Sequence, residues 1–220
     1  MGECIFCRDY RKNDKVFETE NFFLKVGIGI VCAGHIMIIT KKHSKCMADV
    51  DAGLVDEFLH LKKKVEEYLA KYAYKPIILE NGVIFQSVNH AHTHFIPRKS
   101  KFFEEVDLME DMVFETKRRN KDMEIIEFDS FQGVIDLYKS DREYLYFEQD
   151  GKIYCIKTAD NREKIITLKK DLSYRNFFDK MGMKGIDDWK TMTEEDKKID
   201  ALKIEETKEL FKNFENFYNS

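Results

Sequence analysis

His90, His92 and His94 stand at alternate positions in the stretch Gln86-Ser-Val-Asn-His-Ala-His-Thr-His-Phe-Ile-Pro97. In an extended segment alternate side chains share a face, so this spacing gathers the imidazoles into one small volume. Each ring carries a polar nitrogen that must find a partner once buried, which makes such a cluster costly as packing alone. Three readings of the residues stand side by side. The histidines are metal ligands, or a nucleophile with proton-handling neighbours, or a chance run on a solvated strand.

A second chemistry-bearing pair opens the chain. Cys4-Ile5-Phe6-Cys7 is a Cys-x-x-Cys motif among an odd total of 5 cysteines, which in a cytosolic chain means a metal knuckle or a redox pair. The redox reading wants the pair at a strand end leading into a helix. Here Arg8 to Lys15 is polar and charged, so metal is favoured, provided two further ligands exist. His43 closes a strand-to-helix junction, where a ligand is held rigidly. His90 begins the histidine strand, where the backbone can turn its ring away from the other two. His60 falls within a helix and reads as a surface residue, while Cys32, Cys46 and Cys155 read as packing residues.

The elements that must position these residues follow from periodicity. Val16–Thr19 and Phe22–Val26 read as short strands, and His35–Ile39 as a buried one. Val50, Leu54, Phe58, Leu61, Val65, Leu69 and Tyr72 recur at steps of three or four, which predicts an amphipathic helix between Met47 and Tyr72, capped by Asp49 or Ser44. Pro76–Leu79 and Val83–Val88 read as strands joined by the hairpin signal Asn81-Gly82. The histidine strand follows and closes at Pro97. The order predicts an α+β fold with a largely antiparallel sheet over residues 1–100, plus an α/β extension over 101–220. In that extension, residues 101–129 read as a linker, and a short helix capped by Asp129 or Ser130 runs through Tyr138. A hairpin crosses Gln149-Asp150-Gly151, a helix spans Ser173–Met181, and a final helix starts at Thr193 with Asp196 three residues on.

Composition narrows the partners. The 37 basic and 41 acidic residues leave a net charge of −4, which argues against non-specific nucleic-acid binding. No apolar run reaches membrane-spanning length and no signal-peptide core opens the chain. The expected compartment is the cytoplasm.

Gly34-His35-Ile-Met-Ile-Ile-Thr-Lys-Lys-His43, followed by Gln86-Ser-Val-Asn-His90-Ala-His92-Thr-His94-Phe-Ile-Pro97, resembles the histidine triad (HIT) superfamily of nucleotide hydrolases and transferases. The resemblance spans roughly residues 3–98 and includes the Cys-x-x-Cys of zinc-bearing members. It implies a HIT-like antiparallel sheet with one long helix and a covalent nucleotidyl-histidine intermediate, with His92 as nucleophile. It further implies that His94 and His35 bracket the phosphate, and that a structural zinc is held by Cys4, Cys7, His43 and His90. Gln86, Ser87, Asn81 and Arg175 are candidates to hold the substrate, a nucleotide or nucleotide conjugate.

The chemistry is consistent with that resemblance. A neutral imidazole is the side chain best suited near pH 7 to attack phosphorus without prior deprotonation. A zinc closed by four protein ligands is structural. Histidine at position 94, where transferase and phosphorylase branches carry Gln, favours hydrolysis at the α-phosphorus of a dinucleoside polyphosphate, a phosphoramidate or an adenylylated species. Gly27 departs from the acidic or amide residue with which purine-specific members grip the ribose. The alternatives are a nucleotidyltransferase or phosphorylase, a catalytic zinc held by His90, His92 and His94 together, and a non-catalytic nucleotide binder. Relatives suggest a twofold homodimer through the long helix and an adjacent strand, a surface the extension could cover instead.

Overall fold

Strand alternation sorts this chain into two layers, and the histidines fall on the smaller one. The structure is a computed structural model that describes residues 4–8, 12–27, 29–83, 86–98, 124–142, 144–157 and 191–220. Its strands are β1 (Lys15–Glu18), β2 (Phe22–Val26), β3 (Ile36–Thr40), β4 (Lys75–Glu80), β5 (His92–Arg98), β6 (Glu124–Phe128), β7 (Leu145–Gln149) and β8 (Lys152–Lys157). Its helices are α1 (Val55–Ala70), α2 (Phe131–Asp141), α3 (Glu194–Phe211) and α4 (Phe214–Tyr218). The eight strands among the described residues join one antiparallel sheet in the order β1-β2-β3-β5-β4-β7-β8-β6.

One face of the sheet carries Phe22, Leu24, Ile36, Ile38, Ile78 and Phe95 into the main core. There they meet Phe58, Leu61, Val65 and Leu69 of α1, all fully buried. Each such side chain contributes about 2 kcal/mol by leaving water. The opposite face shows Phe23, Met37 and Ile39, which cluster with Phe6. His92 pairs with Ile39 and His94 with Met37 across β3 and β5, so both histidines share this second face. Every residue of β5 from His92 to Pro97 is buried, as expected of a strand near the middle of a sheet covered on both sides.

Several expectations change. The predicted helix starts at Val55 rather than Met47: two short 3-10 turns, Met47–Asp49 and Ala52–Leu54, precede it, and neither Ser44 nor Asp49 caps it. Asn81-Gly82 makes a turn but not a hairpin. β4 pairs with β5 and β7, and Ser87 to His90 follow as bends, with the Gln86 side chain bonded to the Lys45 carbonyl and the His90 amide. His90 therefore precedes the strand that carries His92 and His94. Residues 124–128, read as the end of a linker, form β6, whose Ile126 and Phe128 alternate onto the core. The Lys- and Glu-rich surroundings hide that two-residue period.

The hairpin across Asp150-Gly151 forms between β7 and β8, with φ of 51° and 79° at the turn as a type I′ loop requires. Thr193 and Asp196 close a capping box on α3. Ser130 occupies the N-cap position of α2 without a side-chain bond. The Ser173–Met181 helix and Arg175 lie outside the described residues. Residues beyond 100 meet the long helix and the sheet directly. β7 takes the outer edge of β4, and Tyr68 of α1 packs edge-on to Phe214 of α4 and donates to the Leu210 carbonyl. No helix among the described residues is long and apolar enough to cross a membrane.

Candidate active site

His92 is 4% exposed, and its Nδ1 lies 2.6 Å from the His90 carbonyl oxygen. A carbonyl only accepts, so Nδ1 carries the proton and Nε2 keeps its lone pair. Burial, and to a lesser extent the neighbouring His90, push the ring's pKa down to about 4 against the raising effect of the bond to the His90 carbonyl. The ring is neutral at pH 7, with a nucleophilic nitrogen already bare.

A second chain of bonds assigns His35 and His94. The Val31 amide donates to His35 Nδ1 at 3.3 Å, so the His35 proton sits on Nε2. That nitrogen is 3.0 Å from His94 Nδ1, which must accept, placing the His94 proton on its own Nε2. The rings of His92 and His94 are 5.0 Å apart in a T-shaped arrangement. The structure thus brings a bare nitrogen and a protonated one to the same end of β5. His35, expected beside His94 on the phosphate, has its Nε2 turned to His94 instead. Gly27 is buried close by, and a Cβ there would lie 3.8 Å from the His35 ring.

Cys4, Cys7, His43 and His90 converge from the N-terminal knuckle, the loop after β3 and the bend before β5. Their candidate ligand atoms all lie within 4.8 Å of one another. Cys4 Sγ is 3.3 Å and Cys7 Sγ 3.5 Å from His90 Nδ1, and Cys7 Sγ is 3.4 Å from His43 Nδ1. His90 Nε2 donates to the Thr40 carbonyl at 2.7 Å, which leaves Nδ1 as a lone pair aimed at both thiols. An imidazole oriented by a carbonyl behind it and facing two sulfurs fits a tetrahedral zinc. Burial, with Cys4 beside it, raises the Cys7 thiol pKa, a cost that a bound cation reverses.

The candidate substrate residues divide. Gln86 is buried, and its amide nitrogen donates to the Lys45 carbonyl at 2.9 Å while its Oε1 accepts from the His90 amide at 3.3 Å. It braces the two loops that carry His43 and His90. Ser87 is exposed. Asn81 is half-buried two residues past Leu79, the partner of His94 in the sheet, and so stands at the histidine end of β4.

Phe6, Val31 and Thr40 were not singled out from sequence as site residues. Phe6 is buried and stands edge-on to His90 and His92.

Comparison with known proteins matches residues 9–101 to the HIT domain model. A HIT-like protein of Methanocaldococcus jannaschii is 32% identical over 101 residues, covering 43% of this chain and 78% of that protein. Protein hit of Bacillus subtilis is 31% identical over 106 residues, covering 44% and 72% respectively. Among solved structures, a zinc-bound histidine triad family protein from Mycobacterium smegmatis aligns at a TM-score of 0.40 with 23% identity, over 45% of this chain and 77% of that one.

Proposed function

This chain belongs to the HIT family, and from that premise we propose that it hydrolyses a nucleotide conjugate at its α-phosphorus through a covalent adduct on His92. The substrate classes are a dinucleoside polyphosphate, a nucleoside phosphoramidate or an adenylylated species. The observation that carries this reading is the His92 tautomer, which leaves Nε2 unprotonated in a buried, neutral ring.

In the first step Nε2 of His92 forms a bond to phosphorus and the bond to the leaving group breaks. The His94 Nε2–H donates a hydrogen bond to the phosphoryl or departing group, and the departing group takes its proton from solvent water. The positive charge that develops on the His92 ring is held by the His90 carbonyl at Nδ1. In the second step water attacks phosphorus, the nitrogen–phosphorus bond breaks, the attacking water releases its proton to solvent, and the neutral His92 ring is restored. Dividing one displacement into two lowers each barrier. His35 does not touch phosphorus in this scheme. It orients His94.

Cys4, Cys7, His43 and His90 would hold a zinc ion whose four positions are all filled by protein, so it would supply structure and no reaction chemistry. Histidine at position 94, together with its assigned proton, favours hydrolysis over transfer to a second acceptor.

The test uses wild type and His92→Ala with a panel of adenylyl and guanylyl conjugates, with intact-mass trapping under acid-free quench. The wild-type protein gains the mass of one nucleotide and turns over, and His92→Ala shows neither, with turnover lower by roughly a thousandfold or more. Equal turnover by the two proteins would sink the nucleophile assignment.

A further inference from the structure

The bond that assigns His35 begins in a segment that has no regular structure of its own. Between β2 and β3 the residues Gly29, Ile30, Val31 and Gly34 are buried, and buried backbone groups must be paired. Their partners come from the far end of the chain. Asp200 of α3, 2% exposed, accepts from the Gly29 amide at 3.2 Å and the Ile30 amide at 2.9 Å. Lys203 Nζ donates to the carbonyls of Ile30 at 3.3 Å and Val31 at 3.2 Å. Thr207, fully buried, donates its hydroxyl proton to the Lys203 carbonyl at 2.7 Å and accepts from the Gly34 amide at 2.8 Å.

These three residues are spaced by three and four along α3, so they lie on one face of it. Gly34 shows how closely that face fits. It has φ of +87°, and a Cβ there would lie 2.8 Å from Pro97 of β5 and 3.3 Å from Leu210 of α3. The loop is therefore held between the histidine strand and the last long helix. Its next amide, Val31 N–H, is the donor on His35 Nδ1.

We propose that Asp200, Lys203 and Thr207 are positioning residues that hold the 29–34 loop in the shape that places Val31 N–H on His35, and thereby fix which nitrogen of His94 carries its proton. The residues after 191 then belong to the reaction apparatus and are more than a cover on the fold. The relay runs from Val31 N–H to His35 Nδ1 and from His35 Nε2–H to His94 Nδ1. If the loop relaxes and the Val31 donor leaves, His35 can take the opposite tautomer, and His94 then loses the partner that keeps its proton on Nε2. Only the kinetic part of this inference rests on the hydrolase reading above.

Nitrogen-15 correlation spectra of the histidine rings in the substrate-free, full-length protein report the tautomers directly. Wild type and the exposed control Lys198→Gln show the Nε2-protonated form for His35 and His94. Thr207→Val removes the acceptor for Gly34 N–H at nearly equal volume, and Asp200→Asn turns an amide donor toward the loop amides. Both variants give mixed tautomers at His35 and His94, while Thr207→Ser restores the wild-type pattern. With a nucleotide conjugate, Thr207→Val and Asp200→Asn lose roughly tenfold or more in kcat, with little change in KM.

Unchanged His35 and His94 spectra in folded Thr207→Val and Asp200→Asn would overturn the proposal. Should either variant fail to fold, Lys203→Met, which removes only two carbonyl contacts from a half-exposed side chain, is read by the same criterion. Shifted tautomers in a chain that turns over no conjugate would leave the clamp standing and remove the hydrolase reading. Unshifted tautomers with turnover intact would do the reverse.

Discussion

Phe6 meets His92 edge-on, with ring centroids 5.4 Å apart at 68°, and meets His90 in the same way at 5.6 Å. One aromatic ring between the two cysteines thus touches both a candidate metal ligand, His90, and the proposed nucleophile, His92. Phe6→Ala is expected to retain the metal, because all four ligands remain, but to lower turnover by roughly tenfold through a loosened His92 ring. It also costs about 3 kcal/mol of stability from the small cluster with Phe23, Met37 and Ile39. Metal content by mass spectrometry and kcat, measured on the same sample, check this. Full turnover in a stable Phe6→Ala protein would show that the contact is packing alone.

Removing the metal has a separate signature. Cys4, Cys7, His43 and His90 come from three segments distant in sequence, so a bound ion would tie the N-terminal knuckle to the two loops after β3 and before β5. A chelator, or Cys7→Ser, is expected to lower the melting temperature by several degrees and to free the N-terminal knuckle for proteolysis. His92→Ala is expected to keep one tightly held zinc per chain. Loss of zinc in His92→Ala would instead favour a site made of the triad itself.

Glu80 predicts a pH dependence of stability. It is fully buried, accepts from the Met47 amide at 2.7 Å and from the Tyr144 hydroxyl at 2.5 Å, and burial still carries its pKa from 4.5 to about 7. The folded protein therefore binds this proton more tightly than the unfolded chain does. Its contribution to stability falls as pH rises from 4.5 to about 7 and levels off above that. The fall amounts to roughly 3 kcal/mol for this one group. Urea unfolding at about pH 5 and about pH 8 should show the decline in wild type and a reduced one in Glu80→Gln. Parallel profiles for the two proteins would reject it.

Gly82 is held where no other residue fits. Its φ is +53°, and a Cβ there would fall 1.7 Å from the Tyr144 carbonyl oxygen, which is backbone and cannot swing aside. Gly82→Ala is expected to destabilise by at least about 2 kcal/mol and to loosen the turn that carries Asn81. Thermal unfolding measures it, and a melting temperature equal to wild type would count against the geometry.

How much of this was legible in the sequence depends on the range of the interaction. Alternation along His92-Thr93-His94 predicted a shared face, and β5 delivers it. The Asn-Gly pair predicted a hairpin, but only a turn forms there. What it could not announce is that Leu79 pairs with His94 while β7 arrives from beyond residue 144, because strand partners are chosen by the whole sheet. The four metal candidates were found by residue type and family resemblance, and they meet in space. Gln86, expected to hold substrate, has its side chain bonded to backbone here. A buried amide satisfies the nearest backbone groups first, and here these are the Lys45 carbonyl and the His90 amide. Asp200 and Thr207 looked like ordinary polar positions on a charged helix, and only the fold reveals the amides they answer.

The outer edge of β4 is closed by β7, through Ile78 opposite Glu148, Leu79 opposite Phe147 and Glu80 opposite Tyr146. A shortened protein ending near Arg98 would present that row of amides and carbonyls to solvent beside the apolar side chains Ile77, Ile78 and Leu79. Such an edge is a template for strand addition by another chain. Preparations trimmed to the region matched by known relatives are therefore expected to self-associate, and the segment that looks dispensable by homology works as a built-in guard against it.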